Sequence, residues 1–97
     1  MKIVENYKKK HEFNAENCRR KQQRVKDENY LRKLEDIRAR IDFVVNNSND
    51  EHAVIYCIKP SDIEMYARIA DYFYEKGFYT VKQKIEGLEN EYLIISW

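Results

Sequence analysis

The chain has 97 residues, room for one domain, and its 43% apolar and 13% aromatic residues supply a core, which excludes a disordered chain. The formal charge of +1 conceals a division near Asn46: residues 1–46 carry 13 Lys/Arg against 8 Asp/Glu, and residues 47–97 carry 5 against 9. No apolar run approaches the ~20 residues of a membrane span, the opening MKIVENYKKK lacks a signal-peptide core, and 2 cysteines in separate segments do not make a secreted disulfide scaffold. The expectation is a cytoplasmic protein with reduced thiols, Cys57 buried, and no membrane contact.

In chain order, Ile3, Val4 and Tyr7 fit either one helical turn or a short edge strand, and Lys8, Lys9 and Lys10 form a solvated run. Asn14 then reads as an N-cap, with Glu16 in the first turn where the helix dipole favours a carboxylate. Phe13 and Cys18 occupy the two positions of a hydrophobic staple. From Ala15 to about Glu28 the pattern is helical but polar nearly all round, interrupted only by Cys18 and Val25. Such a helix is poorly held by its own chain and projects, pairs or frays.

Tyr30, Leu34, Ile37, Ile41 and Val44 recur at alternating spacings of four and three, widened by Leu31 and Val45, and predict an amphipathic helix over 30–46. At 100° per residue Val25 lies about 120° away from Ile37, so one straight rod does not bury both. Whether the two helical stretches join through Asp27, Glu28 and Asn29 stays open. The run Asn46 to Asp50 is a loop by composition.

His52 to Ile58 is almost wholly apolar and reads as a strand covered on both faces. Pro60 stops it, Ser61 and Glu64 match a capping box, and a helix follows to Lys76 with Gly77 at its C′ position. That helix is expected to bury Ile63, Tyr66 or Ala67, Ala70, and Phe73 or Tyr74, with Tyr72 exposed on its polar side. Residues 78–85 suit an edge strand, 86–90 a turn, and 92–97 the most apolar strand. A right-handed crossover makes the first two strands parallel, and the apolar last strand belongs between them. The fold class is therefore α+β: N-terminal helices, then strand, helix, strand, strand, in a three-stranded split β-α-β sheet with the last strand central. Both helices share one face, and the other wants a cover, with Tyr56, Tyr79, Tyr92 and Trp97 offering apolar area. By organisation, residues 1–29 form a basic, mostly helical arm and 30–97 a compact domain.

The residues favour no catalysis. His11, Cys18, His52 and Cys57 are far apart with neither C-x-x-C nor H-x-x-x-H spacing, so no metal site is expected. His52 and Cys57, five apart in one strand, point to opposite faces and cannot act as a nucleophile–base pair. With Gly77 and Gly87 the sole glycines, no Gly-rich phosphate cradle exists. Nothing singles out a pair among the 17 carboxylates for acid–base work. The expectation is no enzyme and no cofactor.

Binding residues are easier to find. Arg19, Arg20, Lys21 and Arg24 follow the early lysines on a helix able to neutralise acidic partners or phosphates. Tyr72, beside Asp71 and Glu75, has the mixed character of interface residues. These five are the candidate partner-binding residues, and a homodimer is the expected state. Three classes compete: contact with a protein partner, nonspecific nucleic-acid binding through the same cations, and sequestration of a nucleotide between tyrosines in a dimer cleft.

A helix, a strand, a helix ending YEKGF (Tyr74 to Phe78) and a hairpin closing on YLIISW (Tyr92 to Trp97) resemble the small early proteins of bacteriophages of low-GC hosts. The resemblance covers residues 30–97, rests on architecture and composition, and includes no diagnostic motif. It implies a non-enzymatic role: binding, and inhibiting or redirecting, a host protein such as a defence nuclease or a polymerase.

Overall fold

A computed structural model describes residues 13–97; the alternatives for Ile3, Val4 and Tyr7, and His11, lie outside them. Helix α1 runs unbroken over Ala15–Asn47. It is followed by β1 (Ala53–Ile58), a 3-10 turn (Pro60–Asp62), α2 (Ile63–Glu75), β2 (Tyr79–Lys84) and β3 (Glu91–Ser96). The sheet order is β1-β3-β2, with β3 antiparallel to both neighbours. The expected α+β class and the central last strand are both present.

Asn14 caps α1 as expected, its side-chain oxygen accepting from the Asn17 N–H at 2.8 Å. The staple does not form: Phe13 is 91% exposed and cannot pack on Cys18. The two helical stretches are one rod of ~50 Å, and Val25 stays in solvent as its phase requires. At the other end the Asn46 and Asn47 amides donate to the Asp42 and Phe43 carbonyls, holding these residues in the helix and not in the expected loop. Ser48 ends it, and its hydroxyl accepts from the Asp50 and Glu51 N–H groups, turning the chain toward β1.

One core cluster joins both helices to strands β1 and β3. It contains Leu34, Ile37, Ile41 and Val44 of α1, Tyr66, Ile69 and Phe73 of α2, and Val54, Ile58, Leu93 and Ile95 of the sheet. Each fully buried aliphatic side chain contributes ~1.5–3 kcal/mol. The expected α1 stripe is therefore right at its centre, but Leu31 and Val45 are exposed and do not widen it.

The capping box at Ser61 and Glu64 is not made. Pro60 enters a 3-10 turn, and Asp62 precedes α2 without a side-chain cap bond. The buried stripe of α2 is centred on Tyr66, Ile69 and Phe73, and at 100° per residue Ile63 and Tyr74 fall off one edge of it, so both are exposed while Ile69 is completely buried. The C-terminus matches expectation. Gly77, at φ +90°, carries a Schellman motif in which Phe78 N–H donates to the Phe73 carbonyl and Gly77 N–H to that of Tyr74, both at 3.0 Å. The Phe73 and Phe78 rings meet edge to face at 5.3 Å. A Cβ at Gly77 would meet nothing within 4 Å, so Gly77→Ala isolates the cost of the left-handed backbone. Chemical denaturation should show a loss of about 1 kcal/mol for that variant.

Candidate protein-interaction surfaces

The described part of the expected arm is helix from Ala15, yet the first buried side chain in α1 is Leu34. Over the preceding turns Arg19, Arg20, Lys21 and Arg24 are all exposed. Arg20 pairs with Glu16 at 2.7 Å, an exposed contact one helical turn apart worth only ~0.3–0.5 kcal/mol. Arg19, Lys21 and Arg24 have no ion-pair partner among the described residues. Lys21 and Lys26 flank exposed Val25 in a shallow open groove.

Where this stretch meets the body, α2 holds it. Arg68 donates to Asp27 at 3.0 Å and lies over the Tyr30 ring at 4.0 Å, while Lys26 approaches Glu64 at 3.6 Å. Arg68 escaped the sequence reading because its partners are 41 and 38 positions away and no local pattern links them. A shallow cleft lies between the helices here, lined by Gln23, Asn29, Asp62, Met65 and others.

Tyr72 is half-buried and not exposed as expected. Its ring meets Phe73 edge-on at 5.2 Å and lies under the Lys76 ammonium at 5.6 Å. It faces the Arg38–Asp42 turn of α1, roughly 20 Å along the helix axis from Arg24 at about 1.5 Å per residue. The structure thus gathers the four basic candidates on one helical segment and places Tyr72 elsewhere.

The sheet has a covered and an open face. Val54, Tyr56, Ile58, Leu93 and Ile95 point toward the helices, and the alternate residues point away. Across the open face the register aligns Ile55, Ile94 and Val81 in one row, Cys57, Tyr92 and Gln83 in the next, and Ala53, Ser96 and Tyr79 in a third. Ile55 is 63% exposed and Val81 54%. β1 is therefore covered on one face and not both, and Cys57 is exposed, not buried. Tyr79 and Tyr92 belong to the open face as expected. Tyr56 and Trp97 do not: both pack against the core from the helix side.

Burial raises the hydroxyl pKa of both Tyr66 and Tyr56 above the ordinary value of 10.0. For Tyr66 the neighbouring Asp62 adds to the effect; for Tyr56 the Arg40 guanidinium opposes it. Both rings stay neutral at physiological pH and serve packing. No group of three His, Cys, Asp or Glu side chains able to hold a metal occurs among the described residues. No helix among them is long and apolar enough to cross a membrane. No family model, curated protein or solved structure matches the chain.

Proposed function

We propose that the chain is a non-enzymatic, cytoplasmic binding protein that works through protein–protein contact, as a homodimer, with the basic end of α1 gripping an acidic surface on its partner. One observation carries the reading. The helix is ordered from Ala15, but no described residue before Leu34 is buried, and the first to pack on the core is Tyr30, so about four turns are built and capped without serving the chain's own core. Side chains such as Arg19, Lys21 and Arg24 are then available to a partner. In keeping with the phage-protein resemblance, that partner is a host protein whose action is inhibited or redirected.

The same cations also suit phosphates, and salt separates the two readings. Full-length protein used as bait in a host extract should retain a stoichiometric partner at high salt, and R19E/R20E/K21E/R24E should lose it. If the retained material is nucleic acid whose binding collapses between low and physiological salt, the protein-partner reading is wrong.

A further inference from the structure

We propose that the free edge of β1 is a self-pairing edge: two copies join their β1 strands antiparallel about a two-fold axis at Ile55, making one six-stranded sheet. This rests on the homodimer in the reading above and assigns it a surface.

Among the described residues the sheet order leaves two edges, β1 and β2. β2 carries Lys82 and Lys84 in its six residues, charges of the kind that guard an edge against pairing. β1 reads AVIYCI, with no charge, proline or glycine. It is the unguarded edge.

The register says which backbone groups it offers. Trp97 N–H donates to the His52 carbonyl at 3.0 Å, so residue 52 and the alternate positions 54, 56 and 58 bond to β3. Ala53, Ile55 and Cys57 then aim their N–H and C=O groups outward. No further backbone partner of these three residues occurs among the described residues. An open groove of about 400 Å³, walled by Arg40 and Val44 on one side and by Glu51 and residues 53–56 on the other, keeps this edge accessible.

The outward set is symmetric about Ile55, and symmetry selects the occupant. In an antiparallel pair centred there, Ile55 faces the partner's Ile55 and Ala53 faces the partner's Cys57. One step further out, Glu51 faces the partner's Lys59, and the two-fold repeats each pairing. Both residues are exposed, and Lys59 continues the extended backbone of β1 at φ −76°, ψ 151°. Sliding the register by two residues sets Glu51 against the partner's Cys57 in one direction, or Lys59 against the partner's Ala53 in the other, and both charge pairs are lost. A strand of some other protein has no reason to present an acid and a base at these two ends; a second copy does. Pairing also extends the open-face row from Val81, Ile94 and Ile55 to the same three residues of the second copy.

Light scattering of the purified full-length protein over a concentration series should show a monomer–dimer equilibrium. E51K places like charges at both ends of the paired strands and should weaken the dimer about tenfold, while E51K/K59E should restore it. In a Cys18→Ser background, Ala53→Cys should cross-link to the native Cys57 of the second copy on mild oxidation. Paired residues there stand ~5.5 Å apart at Cα, within disulfide reach. Positions 53 and 57 of one chain are too far apart along a strand to bridge each other. A monomer at every concentration overturns the proposal, as does a dimer indifferent to E51K that forms no 53–57 cross-link. Neither result bears on capture of a host partner by the basic helix, which the charge-reversed variant reads separately.

Discussion

Leu93→Ala should cost ~3 kcal/mol, lowering the thermal midpoint by roughly 10–20 °C for a domain of this size. Leu93 is completely buried at the middle of the central strand, with Tyr56 of β1 on one side and Lys82 of β2 on the other. Its side chain fills the space between the sheet and the two helices. The cavity left by truncation therefore adds to the lost transfer energy. Against a total stability of about 5–15 kcal/mol this is a large fraction. Val81→Ala, on the open face of β2, should change stability by less than ~1 kcal/mol. Thermal and denaturant unfolding of the two variants side by side checks the assignment of faces. Equal losses would mean that the open face is covered in solution.

The residues that carry correct expectations share a physical property: their signal is local and periodic. The stripe from Leu34 to Val44 shows α1, Gly77 marks the end of α2, and the apolar density of residues 92–97 places β3 at the centre. Errors arise where burial depends on what lies across space. β1 is uniformly apolar, and its composition cannot say that helices cover Val54 and Ile58 but leave Ile55 and Cys57 in solvent. In α2, apolar residues occupy adjoining flanks, and only the packing against α1 and the sheet selects the stripe of Tyr66, Ile69 and Phe73. An expectation centred on Ile63, Ala70 and Tyr74 sits one flank over and misses Ile69. Continuity of α1 through Asp27, Glu28 and Asn29 is settled in part by Arg68, which grips Asp27 and Tyr30 from another helix.

The candidate surfaces divide the same way. Arg19, Arg20, Lys21 and Arg24 are visible as a charge cluster because exposure is the default for such residues on a polar helix. Tyr72 is misplaced because a tyrosine beside charges gives no sign of the phenylalanine its ring will touch. The match between Glu51 and Lys59 becomes meaningful only once the strand register shows which residues between them aim outward. Without that register they are two ordinary surface charges.

Deleting residues 1–28 should abolish capture of a host partner while leaving a folded domain. The truncation removes every basic candidate, and it takes no residue of the core cluster, which begins at Leu34. Its structural costs are countable. The Asn14 cap contributes about 1 kcal/mol. The Arg68–Asp27 pair, with side chains 45% and 47% exposed, contributes ~0.2–1 kcal/mol, and the longer Lys26–Glu64 contact less. Partial compensation is built in: Asn29 comes to stand at the head of the shortened helix, and asparagine is among the best N-caps. Arg68 keeps its place over the Tyr30 ring. Circular dichroism of the truncated protein should therefore retain a cooperative transition, and extract pull-downs should come back empty. A truncated chain that is unfolded or aggregated would mean that the basic turns serve the fold itself, and a truncated chain that still captures the partner would move the contact to the sheet.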